Sequence, residues 1–408
     1  MMTLASETLY TAEYARHPEP VWAQLRNDHP CFHDTVGNMW VLSRYDDVAA
    51  VFGDHRTYSA ATYEASTGAV LGPTLISRDD QGHVTRRSIV APDFVGKRLA
   101  AYVPMVEGCA NALIARIDPM SGCDLVADLT TRLPVDVIAA MLGMEGDGDL
   151  FRGWVTGMIR GLAPGQNESG RAAHHAFCSH IAPALAGVDD PARADLIAKI
   201  ARAEADGERL DHDELVAFCG LLFIAGGETT DKAMSSMWWH LLTMPDVLKE
   251  VLETPALWDN AFSETMRRTA PVVSEDRFTR SGVEWHGVEI PVGARVRVML
   301  GAAHLDESRF ADPERFDLHR LDLNLGKELR YGGSTEGGRS GHLGFGLGKH
   351  FCIGYELARL ESIVGSRLLV ERCGVPLLDP DSGIRPVLSR AFRAVGSLPV
   401  TFATPNAC

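Results

Sequence analysis

A chain of 408 residues, 46% of them hydrophobic, can bury a large core, and its formal charge of −15 argues against a nucleic-acid binder, which needs a basic face. Eight cysteines, at 31, 109, 123, 178, 219, 352, 373 and 408, include no C-x-x-C pair; this sets aside zinc ribbons and thioredoxin-like sites and suits a reducing cytoplasm. The start, Met1-Met2-Thr3-Leu4-Ala5-Ser6-Glu7, lacks a basic and an apolar leader region, and no run of about 18 apolar residues occurs. A cytoplasmic protein with no membrane association is expected.

In chain order, residues 13–28 carry acidic, basic and apolar side chains at helical spacing. Cys31-Phe32-His33-Asp34 and Met39-Trp40-Val41-Leu42 flank Val36-Gly37-Asn38 and predict a hairpin, followed by an amphipathic helix from Tyr45 to Phe52. Ser59 to Ser77, rich in Ala, Gly, Thr and Ser, reads as a flexible loop. Helical patterns dominate from Gly82 to Thr269, interrupted by breakers at Gly161–Gly170 that predict a second exposed loop. Short β-like runs between Asp276 and Val298, a coil, a last helix from Tyr355 to Arg372 and a strand from Arg393 to Phe402 complete the chain. The fold class is mainly α with small β-sheets (α+β). No linker or repeat divides it, so a single domain over 1–408 is expected, β-rich at about 30–60 and helical at about 82–270.

The strongest motif is Phe345-Gly346-Leu347-Gly348-Lys349-His350-Phe351-Cys352-Ile353-Gly354. Its glycines permit positive φ and a close approach to a flat partner. Backbone N–H groups and a following helix favour a thiolate at such a cysteine. A structural cysteine in an ordinary glycine turn is the alternative, but the six fixed positions of F-G-x-G-x-H-x-C-x-G coincide by chance on the order of once in a million chains.

On this motif, continued by Leu357-Ala358-Arg359-Leu360-Glu361, the chain resembles the cytochrome P450 family, from about Pro18 to Phe402. The resemblance implies haem b (iron protoporphyrin IX) ligated by Cys352, with His350 donating to a propionate. It implies O₂ as co-substrate and a monooxygenase acting on a small, largely apolar molecule in secondary metabolism. Tyr355-Glu356 departs from the Ala-Pro of many bacterial members, and Leu321 to Gly341 looks like an insertion.

Asp211-His212-Asp213-Glu214 forms a capping-box pattern ahead of an apolar helix containing Ala225-Gly226-Gly227-Glu228-Thr229-Thr230. Mid-helix glycines and threonines lower helix propensity, which marks either a functional site or a close helix crossing. The resemblance puts the proton-delivering acid and alcohol at Glu228 and Thr229. It also makes Glu264 and Arg267 a buried pair behind the haem loop, with a third partner at Arg315 or Arg320. His83 and Arg87, spaced i, i+4, and Arg277 are the further propionate-ligand candidates.

The resemblance places a substrate pocket against the Ser59–Ser77 and Gly161–Gly170 regions, Val272–Ser274 and the turn at Ala391-Phe392. Glu64, Glu275, Arg390 and Arg393 are candidates to recognise a polar group there, with placement at the surface the favoured expectation. No flavin, nucleotide or iron–sulfur motif is present, so electrons are expected from a separate ferredoxin-type donor and an NAD(P)H-dependent reductase. Arg86, Lys97, Arg98, Lys349 and Arg359 are the basic residues expected to dock that donor. Peroxide-driven or rearrangement chemistry, which needs no proton relay, and a haem sensor or carrier are the competing readings.

Overall fold

The computed structural model describes residues 4–163, 165–326, 341–379, 384–387 and 389–403, and these are mainly helical with small sheets. The chain clusters into two compact units. The first comprises Met1–Ala60, Lys232–Cys352 and Leu378–Pro399; the second comprises Ala61–Asp231, Ile353–Leu377 and Val400–Cys408.

A five-stranded sheet organises the first unit, in the order Cys31–Asp34, Met39–Leu42, Arg295–Val298, Glu275–Thr279, Tyr58–Ser59. The first two strands form the expected hairpin, with Phe32 opposite Val41 and Asn38 in the left-handed region at φ 48°. Met39–Leu42 runs parallel to Arg295–Val298, which pairs antiparallel with Glu275–Thr279 so that Arg277 faces Val296. The period of two is visible on Arg295–Val298. Val296 and Val298 enter the core, while Arg295 and Arg297 both reach Asp276.

Packed on that sheet are Val48, Val51 and Phe52 of the helix Tyr45–Gly53, together with Phe310 and Leu343. A second cluster gathers Trp22, Leu25, Val41 and Met299. The single helix expected over 13–28 is two helices, Ala12–Arg16 and Glu19–Asp28. Pro18 breaks the run, because it lacks an N–H and pushes His17 out of the helical region.

The second unit is helical: Gln81–Val90, Val103–Ile114, Leu133–Met141, Gly148–Gly161, Asn167–Ala186, Leu196–Arg202, Tyr355–Cys373 and the first five turns of the long helix His212–Thr243. One expected loop is corrected here, and the other is present but short. Ser59–Ser77 is mostly short helical turns, over Ala60–Tyr63, Glu64–Gly68, Ala69–Leu71 and Leu75–Ser77, with Thr67, Val70 and Leu71 buried. Its alanines favour helix, and Gly72 ends the run in the left-handed region. At Gly161–Gly170 the exposed loop is present but short, between the helices Gly148–Gly161 and Asn167–Ala186, with Ala163, Gly165 and Gln166 exposed. Both end glycines are buried, and a β-carbon on either would overlap the other's Cα. There the glycines serve a helix crossing.

Candidate active site

In the first unit the site grows from the helix Leu257–Arg268. Glu264 and Arg267 are wholly buried, with Arg267 Nε 2.8 Å from Glu264 Oε2 and Nη2 2.7 Å from Oε1. The third partner is Arg320, whose Nε lies 2.8 Å from Glu264 Oε1. Arg315 contributes its carbonyl, which accepts from both Arg267 and Arg320, while its own side chain is 66% exposed. Arg267 also donates to the carbonyls of His304 and Pro313. The expected pair is therefore a three-membered network that ties the helix to the segment 304–320.

From that helix the Met266 carbonyl abuts Gly344, where a β-carbon would come within 2.9 Å of it. Two contacts missed in the sequence fix the approach to the cysteine. Tyr45 Oη donates to the Gly341 carbonyl at 2.6 Å, and His304 Nε2 accepts from the Leu343 N–H at 2.8 Å. Burial, helped by His342 and Arg267, drives the His304 pKa well below the usual imidazole range, which keeps Nε2 an acceptor. Gly346 and Gly348 then turn the chain at φ 67° and 69°, and Cys352 N–H closes the loop onto the Phe345 carbonyl at 2.8 Å. His350 ends the single turn Gly348–His350, two residues before Cys352.

Arg277, also in this unit, is buried on its strand over the Phe52 ring at 5.3 Å, with Glu275 at 3.9 Å. Glu275 is half-buried rather than at the surface, and burial pushes its carboxyl up to about 7 against the opposing pull of Arg277. Arg393 pairs with Glu19 and is likewise only partly exposed, whereas Arg390 is exposed and packs over the Tyr10 ring at 4.6 Å.

In the second unit, His83 and Arg87 lie one turn apart on Gln81–Val90, whose N-terminus Asp80 caps by accepting from the His83 N–H at 3.2 Å. His83 is 1% exposed. Arg86 turns away to pair with Glu208 and Glu214. One of these partners, Glu208, is 54% exposed and the other, Glu214, is buried. Glu64 is exposed, as expected.

The capping box on the long helix is formed in both directions. Asp211 Oδ1 accepts from Glu214 N at 2.8 Å, and Glu214 Oε2 accepts from Asp211 N at 3.3 Å. Further along, Gly226 and Gly227 face neighbouring helices: β-carbons there would meet Ile138 at 3.1 Å and Val135 at 3.1 Å. Both glycines thus serve a close helix crossing. Thr229 Oγ1 donates to the Ala225 carbonyl at 2.6 Å, the i−4 back-bond of a helical threonine. Asp231, also missed, is buried and accepts from Thr130 Oγ1 at 2.6 Å and Thr131 Oγ1 at 3.3 Å. Its signal was a charge inside an apolar helix, which burial tolerates only when paired. The insertion at 321–341 falls largely outside the described residues.

The residues present fit a thiolate-ligated haem. Around Cys352, residues 344–346, 348–350 and 352–354 are partly exposed while Leu343, Leu347 and Phe351 are buried, so glycine backbone and the sulfur are among the groups the loop presents. On the long helix, exposed Ala225 and half-exposed Thr229 stand between buried Leu221–Ile224 and buried Thr230. The donor set is one soft sulfur for iron and two imidazoles with two guanidiniums for two carboxylates. In the first unit, Cys352, His350 and Arg277 are the residues that would hold the group.

Comparison with known proteins gives one consistent result. The family model described as cytochrome P450 matches residues 256–396. The cytochrome P450 monooxygenase PikC of Streptomyces venezuelae is 32% identical over 385 residues, which cover 91% of this chain and 87% of PikC. The vitamin D(3) 25-hydroxylase of Pseudonocardia autotrophica is 30% identical over 98% of this chain and 97% of its own. Among solved structures, ligand-free cytochrome P450 TbtJ1 superposes with a TM-score of 0.84 at 29% identity, covering 95% of this chain and 98% of that one.

Proposed function

The chain belongs to the cytochrome P450 family of oxidoreductases, and from that premise we propose that it is an O₂-dependent monooxygenase of a small, largely apolar organic molecule, with haem b ligated by Cys352. When bound, a thiolate-ligated haem supplies reductive activation of O₂ and O–O cleavage. Among the described residues no helix is long and apolar enough to cross a membrane.

The observation that carries this reading is the retained acid and alcohol on the long helix. Thr229 Oγ1 donates its hydrogen bond to the Ala225 carbonyl, which leaves the oxygen's lone pairs to accept from a water and hold it in place. Glu228, half-exposed one residue earlier, takes protons from solvent and passes them to that water. Peroxide-driven and rearrangement chemistries need no such relay, and a haem carrier needs none either. His83, Arg87, Arg277 and His350 orient the haem through its propionates.

The relatives' names support an apolar substrate: a vitamin D(3) hydroxylase, a steroid C26-monooxygenase of Mycobacterium tuberculosis and the cyclomarin C epoxidase of Salinispora arenicola. A place in secondary metabolism is part of the same proposal. Electrons come from a separate ferredoxin and its NAD(P)H-dependent reductase in the cytoplasm. In the second unit the Gly96 N–H donates to Glu356 at 3.2 Å, which sets Lys97 and Arg98 beside the first turn of Tyr355–Cys373, the helix that bears Arg359. Val95, next to Gly96 in the chain, is an exposed apolar residue there. Lys349 belongs to the first unit.

The test is NADH-driven turnover with surrogate redox partners and a panel of apolar compounds. Hydroxylated or epoxidised product is expected. Thr229→Ala is expected to keep consuming NADH while product per NADH falls on the order of ten-fold, the signature of a lost proton-transfer group. Equal coupling in both proteins would refute the relay.

A further inference from the structure

The first unit contains a cleft of about 470 Å³ that none of Cys352, His350 or Arg277 lines. Its size lies within the range of small-molecule pockets, roughly 300–1,000 Å³. Its walls come from the N-terminal helices, the last turns of the long helix, the end of Leu257–Arg268, and the segment 384–395.

Its charge is opposite to that of the chain. Four arginines, 16, 268, 390 and 393, line it against one carboxylate, Glu19, in a protein of net charge −15. Glu19 is already committed to Arg393. Three wall residues carry a buried polar atom with no hydrogen-bond partner: Arg268 Nη1, Arg393 Nη1 and Ser236 Oγ. Buried polar atoms are costly to leave without partners, and all three belong to residues that line this one cleft. Among the described residues Arg268 donates through Nε to the Glu314 carbonyl at 2.8 Å, and its Nη1 has no hydrogen-bond partner.

Around these donors the wall is aromatic. Trp22 lies 5.3 Å beneath the Arg393 guanidinium, and Trp239 and Phe392 also line the cleft. Charged donors against flat apolar faces suit an amphipathic anion.

We propose that this cleft binds a small organic carboxylate with an aromatic or aliphatic body, its carboxylate on Arg268 and Arg393 and its body against Trp22 and Trp239. The Cys352 loop does not line the cleft, although Val273 and Phe392 on its wall lie in segments expected to border the substrate pocket, and a Soret readout separates the two sites. The cleft does not depend on the chemistry proposed at that loop.

The experiment is ¹⁹F NMR on the full-length holoenzyme, with (trifluoromethyl)phenylacetate as the probe and its primary amide as the neutral control. Saturable binding of the acid is expected without any shift of the haem Soret band. The amide, and the acid on Arg268→Gln or Arg393→Gln, should each bind about ten-fold more weakly, the loss of one charged hydrogen bond. Because those two arginines also brace the fold, Arg390→Gln at the exposed rim is the second variant, with a weakening of about three-fold from lost attraction alone. Three results would overturn the site: no saturable binding, equal binding of acid and amide, or binding accompanied by a Soret shift that the arginine variants leave unchanged.

Discussion

Glu264→Gln isolates the network behind the cysteine loop, because it removes a charge and almost no volume. The carboxylate accepts four hydrogen bonds: two from Arg267 at 2.7 and 2.8 Å, one from Arg320 at 2.8 Å and one from the Asp317 N–H at 3.0 Å. Its side chain and that of Arg267 are 0% exposed, and that of Arg320 is 3% exposed. Without the charge, Arg320 retains Asp322 at 3.3 Å, but Arg267 keeps only neutral carbonyl partners. Breaking a buried pair in this way costs about 3–5 kcal/mol, against a total stability of about 5–15 kcal/mol for a typical protein. The matched control is Glu253→Gln, which removes the surface contact of Lys249 at 3.8 Å, both side chains being more than 60% exposed. Urea unfolding followed by circular dichroism and by tryptophan fluorescence gives both values, provided the two transitions coincide. The control should be indistinguishable from the parent. A loss below about 1 kcal/mol for Glu264→Gln would refute the claim that this buried charge holds the segment together.

Gly227→Val should cost about 1–3 kcal/mol in thermal melts, because its β-carbon meets Val135 at 3.1 Å and Val155 at 3.3 Å. Gly153→Ala, on an exposed helix face with no atom within 4 Å, should instead leave stability unchanged or raise it. His240 offers a pH test: burial, with Arg268, Arg393 and Arg267 adding, lowers its pKa to about 3 from 6.5. The unfolded chain therefore binds the extra proton between these values, so this group's contribution to stability is complete above 6.5 and is lost as pH falls towards 3. His240→Gln, which can still reach Thr269, should flatten the loss of urea midpoint between pH 7 and pH 4; an unchanged slope would contradict this. Arg98→Glu should slow reduction by an acidic ferredoxin in stopped flow, whereas Arg86→Glu should chiefly destabilise the fold, because Arg86 is committed to Glu208 and Glu214.

Much of the fold was legible where one local rule decides the outcome. The hairpin at Val36–Asn38, the helix from Tyr45 and the capping box at Asp211–Glu214 rest on turn chemistry, periodicity and a side-chain cap. Glycine was the ambiguous letter. At Gly346 and Gly348 it marks left-handed backbone, while at Gly161, Gly170, Gly226 and Gly227 it marks close packing, and only the partner element distinguishes the two. The Ser59–Ser77 segment misled because small residues suit both a loop and tight helical turns. Tyr45, His304 and Asp231 were invisible as site residues because each acts through a partner distant in sequence: Gly341, Leu343 and Thr130. The choice of Arg320 over Arg315 likewise depended on which guanidinium turns inward.

The reduced, carbon monoxide-bound absorption spectrum of the haem-loaded protein, recorded beside that of Cys352→His, tests the central claim most directly. The parent should show the red-shifted Soret band of sulfur ligation. The variant should show the shorter-wavelength band of imidazole ligation, or bind no haem. Identical spectra from the two proteins would mean that another residue holds the iron.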